Sequence, residues 1–341
     1  MREIFFVPEH LMCESEETPV GIQCEKPRLS WRARHSERGM SQCAWQVQVA
    51  TDPFLLEGDQ ADCWDSGKVV GIDSIGVRYG GAGLKPEKRY YWRVRLWDSC
   101  DRESKFSEIA WFDTGIAKKD MQNGHWISTP DASCDFAPLL RKAFYVEKEI
   151  EAAYLYVSGI GYSECYINGR KIGSQVLDPG FTDYQKRVLY RCYRVEEQLQ
   201  KGANAIGVIL GNGWLGNDDP YITRHTGRWL SAPKLLLQLN IRYRDGSYQA
   251  LSSNTESGWK SAHSPILQNN IYNGETYDAR LEQSGFSEAG FVPGEEWLDA
   301  VEVPAPGGEL CRQRMEPIEV IRQMSPLSVN KPAAGVYVFD M

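Results

Sequence analysis

The stretch best equipped for chemistry is GNGWLGNDDPYITRHTGRW, residues 211–229. It sets Trp214, Tyr221 and Trp229 among Asn212, Asn217, Asp218, Asp219, Arg224 and Arg228. A sugar presents C–H faces that lie on aromatic rings, and neighbouring hydroxyls that take paired hydrogen bonds from Asn, Asp or Arg. The loop offers both kinds of group. Carbohydrate contacts are therefore expected at Asn212, Trp214, Asp218 and Tyr221, with Asp219 and Arg224 in support. The competing reading makes Trp214 and Trp229 buried plugs beneath a long loop. A second polar and aromatic stretch, NGETYDARLE (273–282), puts Arg280 two residues after Asp278. On an extended strand the two share a face. A buried Asp–Arg lock at a seam between modules is expected there, ahead of direct ligand contact.

Other chemistries find less support. GNGWLG (211–216) fits G-x-G-x-x-G and follows the strand-like AIGVIL, but NDDPYITRH comes next. Pro220 and the Asn/Asp cluster oppose the helix whose N-terminus a dinucleotide phosphate requires. His10, His35, His125, His225 and His263 never fall at i, i+2 or i, i+4, so no metal-binding pair is apparent. A G-x-S-x-G nucleophile elbow is absent. Asp178, Asp183, Asp218, Asp219, Glu275, Asp278 and Glu282 supply carboxylates. A glycosidase needs two of them about 5–9.5 Å apart across the scissile bond, and the sequence singles out no such pair. They read as solvated or hydrogen-bonded loop groups. The nine cysteines are odd in number and lack C-x-x-C spacing. They read as reduced core residues, not as a disulfide or zinc framework.

The chain has 341 residues, 42% of them hydrophobic, and a formal charge of -8. That length suits two or three sandwich-sized modules. An acidic chain without a Lys/Arg run is a poor partner for nucleic acid or an anionic membrane. No stretch approaches the roughly 20 apolar residues of a transmembrane helix. The apolar run in MREIFFVPEHLMC is broken by Pro8, Glu9 and His10. It does not read as a secretory signal, and a cytoplasmic location is expected.

The elements that must position these groups read as strands. In AWQVQVA (44–50), Trp45, Val47 and Val49 alternate with Gln46 and Gln48. In RYYWRVRLWD (89–98), Tyr90, Trp92, Val94 and Leu96 share one face, and Tyr91, Arg93, Arg95 and Trp97 share the other. Leu84, Pro86 and Tyr90 fall at the spacing that precedes strand F of a fibronectin type III sandwich, with Tyr90 as its tyrosine corner. Residues 1–116 are expected to form that module, with WFDTG (111–115) as its last strand and 117–125 as a linker. Residues 126–300 read as a larger jelly-roll-like, galactose-binding-like sandwich. Tight hairpin turns are expected at Asn168-Gly169 and Asp245-Gly246. A short helical turn is expected at 195–202, closed by Gly202. From 301 a Pro/Gly-rich connector leads to EPIEVIRQMSPLSV and GVYVFD, which read as the first strands of a third module that has been cut. The fold class is all-β, as tandem β-sandwiches.

The series PRLSWRA, AWQVQVAT, CWDSGKV and RYYWRVRLWD…AWFDTG resembles the N-terminal fibronectin-like domain of bacterial α-L-rhamnosidases. LLRKAFYVEKEIEAAYLYVSGIGYSECYINGRKIG, DPGFTDYQKRVLY, GANAIGVILGNGW and NGETYDARLE resemble the β-sandwich that follows it in that family. The resemblance implies inverting glycosidases that release terminal L-rhamnose with carboxylates on an α/α barrel, for which this chain holds no run of helices. It implies a non-catalytic N-terminal region, serving as scaffold and sugar-binding module, with the catalytic domain as partner in cis or in trans. In some relatives a sandwich binds L-rhamnose with calcium. Calcium wants several oxygen ligands; the 169–176 edge offers Gly173 and Ser174 without an acid, leaving Asp218 and Asp219 as candidate ligands. Two alternatives stand beside this reading: a free-standing carbohydrate-binding protein, and a structural or protein-interaction module without sugar affinity.

Overall fold

A computed structural model of the chain describes residues 6–116, 124–131, 136–215 and 231–341. Eight strands build the first module: β1 (Phe6–Cys13), β2 (Arg28–His35), β3 (Gln42–Ala50), β4 (Trp64–Asp65), β5 (Val69–Val70), β6 (Val77–Arg78), β7 (Arg89–Asp98) and β8 (Ala110–Asp113). They form a β1-β2-β6 sheet facing a β4-β3-β7-β8 sheet, with β5 alongside β3. The period-two alternation of β7 puts Tyr90, Trp92, Val94 and Leu96 into the core, against Trp31, Trp45 and Phe112. The Tyr90 hydroxyl accepts the backbone N–H of Lys85 at 2.7 Å, which ties the chain before β7 back onto it.

The opposite face of that sheet is less open than alternation suggests. Gln46 and Gln48 are buried. Arg95 Nε donates to Gln46 at 2.7 Å, and Arg93 Nε donates to Gln48 at 2.9 Å. The two guanidinium groups flank the Phe106 ring, 4.7 and 3.7 Å from its centroid, and Arg95 also reaches Trp97. Cation–π stacking of this kind seals polar side chains beneath planar cations.

The second module contains β9 (Ile127–Ser128), β10 (Pro138–Val146), β11 (Ile150–Ile160), β12 (Tyr162–Ile167), β13 (Arg170–Lys171), β14 (Arg187–Arg194), β15 (Gly202–Gly211), β16 (Lys234–Tyr243), β17 (Tyr248–Ser252), β18 (Lys260–His263), β19 (Ile266–Asn270), β20 (Gly274–Tyr277), β21 (Leu298–Asp299), β22 (Val301–Glu302) and β23 (Glu309–Arg312). A six-stranded sheet, β13-β12-β15-β10-β18-β21, packs on a seven-stranded sheet, β22-β9-β16-β11-β14-β23 with β17 beside β16. Leu140, Leu155, Ile206, Val208, Leu237, Leu239 and Trp259 fill the space between them. Asn168 and Gly169 both take positive φ, 50° and 80°, in the β12–β13 hairpin, as a type I′ turn requires.

Several expectations need correcting. At Asp245-Gly246 only the glycine has positive φ, 83°. The Gly246 N–H donates to Tyr243 O, and the Tyr243 N–H to Ser247 O; this is a longer loop closed by a left-handed glycine, not a two-residue turn. Residues 196–198 make one turn without becoming a helix, and Gly202 opens β15. The connector expected from 301 belongs to the second sandwich, because β22 pairs β9 and β23 runs parallel to β14. Residues 316–327 hold no strand; the strands of the tail are β24 (Ser328–Ala333) and β25 (Val336–Asp340), paired only with each other. Among the described residues helix is confined to Pro53–Glu57, N-capped by Asp52, and a 3-10 turn at Ala279–Leu281. No helix there is long and apolar enough to cross a membrane.

The two sandwiches are joined through a buried carboxylate that the sequence does not advertise. Glu87 sits in the corner before β7 with φ 50° and 3% exposure. Its Oε1 accepts from the Tyr156 hydroxyl at 3.0 Å and from Asn240 Nδ2 at 2.8 Å; its Oε2 accepts from the Tyr248 hydroxyl at 2.5 Å. Arg242 donates to the Glu87 carbonyl at 2.9 Å. All four donors belong to the second module. Close approach here also needs Gly21, whose φ is +80° and whose hypothetical Cβ would lie 2.5 Å from Cys192 Cβ. Beside them, burial pushes the Asp113 carboxyl up, while the paired Arg89 guanidinium, donating at 2.8 and 2.9 Å, pulls it back.

Candidate functional site

Alternation along β12 and β15 sends Cys165, Ile167, Ile206, Val208 and Leu210 into the core. Glu164, Tyr166 and Ile209 therefore lie on the outer face of the six-stranded sheet. The β19–β20 hairpin roofs that face, and a cavity of about 460 Å³ opens beneath it, lined by Tyr162, Leu177, Ile209, Ile266, Asn269 and Glu275 among others. A second cavity, about 290 Å³, lies between Leu139, Tyr166, Ile209, Tyr277 and the 282–288 segment. Such a lining, mostly apolar with a few convergent polar groups, is what small-ligand sites present.

Asn212, at the end of β15, holds the roof in place. Its backbone N–H donates to Asn269 Oδ1 at 2.7 Å, and its Nδ2 donates to the Asn269 carbonyl at 3.1 Å. It is 3% exposed, so it positions the hairpin and does not face the cavity. The Asn269 Nδ2 is buried and has no acceptor among the described residues. Gly213 takes φ +50°, and a Cβ there would lie 3.0 Å from the Gly161 carbonyl carbon. Gly213 of GNGWLG thus serves a close backbone crossing, and residues 213–215 form a turn.

Trp214 is neither a fully buried plug nor an open platform. It is half-buried, 5.0 Å from the Phe181 ring and edge-on to Tyr272 at 5.8 Å. Burial pushes the Tyr162 phenol up, and a hydrogen bond between the Trp214 and Tyr162 side chains works against that; the indole N–H is the donor. Phe181, Tyr272 and Tyr162 are not singled out by residue pattern, although the polar and aromatic stretch NGETYDARLE (273–282) begins one residue after Tyr272. Asp218, Asp219, Tyr221 and Arg224 lie outside the described residues.

The electrostatics of the two cavities are one-sided. Glu164 accepts from Lys171 at 2.5 Å and from the Tyr166 hydroxyl at 2.7 Å, and Glu282 accepts from the Tyr277 hydroxyl at 2.6 Å. Among the described residues no Lys, Arg or His lines either cavity. The expected Asp278–Arg280 lock is corrected: the pair is bidentate, at 2.8 and 2.5 Å, but the Arg280 side chain is 88% exposed. Asp278 caps the 3-10 turn, so the two residues do not sit on a strand. Among the described residues no group of three His, Cys, Asp or Glu side chains could hold a metal ion. At the 169–176 edge, Ser174 meets one acid, Glu319, and the described residues do not assemble a calcium site.

Residues 148–322 match the α-L-rhamnosidase N-terminal domain model, and residues 8–118 match the Rha78A-like, N-terminal immunoglobulin domain model. An α-L-rhamnosidase of Formosa agariphila is 31% identical over 97% of this chain and 37% of its own length. The solved α-L-rhamnosidase of Dictyoglumus thermophilum is 35% identical with a TM-score of 0.85, covering 98% of this chain and 38% of that one. The chain thus spans well under half the length of these relatives. The Streptomyces avermitilis α-L-rhamnosidase, solved with L-rhamnose, shares the fold at TM-score 0.87 and 23% identity, covering 98% of this chain and 48% of that one. Its sequence alignment runs over 502 positions, so it carries extra residues inside the matched span.

Proposed function

Because this chain belongs to the α-L-rhamnosidase N-terminal domain family, we propose that it is the non-catalytic N-terminal region of an α-L-rhamnosidase, acting as scaffold for the catalytic portion in cis or in trans. The observation that carries this is the tail. Ile321 is 98% exposed, Leu327 81%, Tyr337 56% and Phe339 59%. An isolated two-stranded hairpin is marginal in water, and large apolar side chains exposed on and beside it suit a protein contact. The Glu87 seam fixes the first sandwich on the second, so both would be carried as one piece. A second reading rests on the cavity beside Trp214, whose apolar walls and amides suit a carbohydrate.

The scaffold role is tested by mixing the chain with the catalytic portion of a longer α-L-rhamnosidase, such as the Dictyoglumus thermophilum protein, from which the matching N-terminal residues have been removed. Sedimentation is expected to show a complex, and deletion of residues 315–341 to abolish it. Equal sedimentation of mixture and separate parts, at tens of micromolar, contradicts docking through this face.

A further inference from the structure

The two cavities on the outer sheet face are not separate features. They share Ile209 as a wall. Ile266 of the first is paired across the hairpin with Tyr277 of the second, and Glu164 of the first receives the hydroxyl of Tyr166 of the second. From Gly211 at one end to the strand position of Gly207, where Phe286 and Ser287 close in, is four residues of β15. That is roughly 13 Å of strand, longer than one pyranose ring. Glu164, Glu275, Glu282 and Glu288 line this path, without a lysine, arginine or histidine among the described lining residues. The buried Asn269 Nδ2 at its wall lacks an acceptor among the described residues, and a ligand hydroxyl can supply one.

We propose that the two cavities form one groove that takes a neutral oligosaccharide of more than one residue and rejects uronate-containing chains. This rests on the carbohydrate reading given above and adds to it length and charge selection. Tyr162, Tyr166 and Tyr277 supply ring faces along the groove, and Asn269 Nδ2 supplies a donor for a hydroxyl. An anionic ligand would meet Glu275, Glu282 and Glu288 with no lysine, arginine or histidine among the described lining residues, Glu164 alone being paired with a cation, Lys171, and the apolar walls strengthen that repulsion.

The test is calorimetric titration of the whole chain with three probes: L-rhamnose, a neutral α-L-rhamnosyl trisaccharide, and a trisaccharide of rhamnose and galacturonate. The neutral trisaccharide is expected to bind at least about tenfold more tightly than either of the others. The double variant Glu275→Gln/Glu282→Gln is expected to narrow the gap between the neutral and the acidic trisaccharide several-fold. If all three probes bind alike, or the acidic one binds best, the groove inference fails and the carbohydrate reading survives. If none binds at tens of millimolar, both fail.

Discussion

Replacing Glu87 with Ala is expected to lower the unfolding free energy by about 3–5 kcal/mol, the cost of breaking a buried charged network from one side. Tyr156, Asn240 and Tyr248 all direct donors at this one carboxylate. Removing it strands the buried Tyr156 and Asn240 donors, at about 1–3 kcal/mol for each group left unsatisfied, while Tyr248, which is exposed, can turn to water. Glu87→Gln keeps the shape and one acceptor oxygen, and is expected to cost less. Because the partners all come from the second sandwich, the alanine variant should also split urea unfolding into two transitions, one per module. A loss below about 1 kcal/mol with a single transition would mean that the seam is held by apolar contacts alone. Asp278→Ala serves as control: its partner Arg280 is solvent-exposed and only the cap of one 3-10 turn is lost, so a small change with the modules still unfolding together is expected.

Trp214→Ala is the second large effect. A fully buried tryptophan costs about 3–5 kcal/mol on truncation. Trp214 is half-buried, and about 2 kcal/mol is expected from lost contact with Phe181 and Tyr272 and lost donation to Tyr162. Trp214→Phe should recover most of that stability. Affinity for the neutral trisaccharide is expected to fall more than tenfold in the alanine variant, because Trp214 fixes Tyr162 at the groove wall. Full affinity in a destabilised Trp214→Ala protein would make this ring a plug alone. Unchanged stability with lost binding would make it a platform alone.

How much of this was legible depends on whether a feature is local. The alternation in RYYWRVRLWD names the core face of β7, and Asn168-Gly169 names its turn, because period and φ are local properties. The burial of Gln46 and Gln48 was not legible, since alternation marks them polar and only the third dimension lays Arg93, Arg95 and Phe106 over them. Glu87 was missed for the same reason: its partners lie 69, 153 and 161 residues away. Asp278-Arg280 misled because i, i+2 places two residues on one face only in a strand, and the chain turns there. The Pro/Gly composition near 304 suggested a boundary, yet Glu309–Arg312 adds a parallel edge strand to the sandwich. At the site, Trp214 and Asn212 were legible as chemistry, but the division of labour between them was not. The amide that looked like a sugar contact is a bolt for the roof, and the cavity lies among residues from four strands.

The claim that this chain is a non-catalytic scaffold is met most directly by one assay: hydrolysis of an aryl α-L-rhamnoside by the purified chain alone. Glu164 is committed to Lys171 and Tyr166, and the described residues carry no helical barrel. No turnover above the buffer rate is expected, at any enzyme concentration reached. Turnover that scales with the chain, survives stringent repurification and falls with Glu164→Gln or Glu275→Gln would contradict it, and would make the groove an active site.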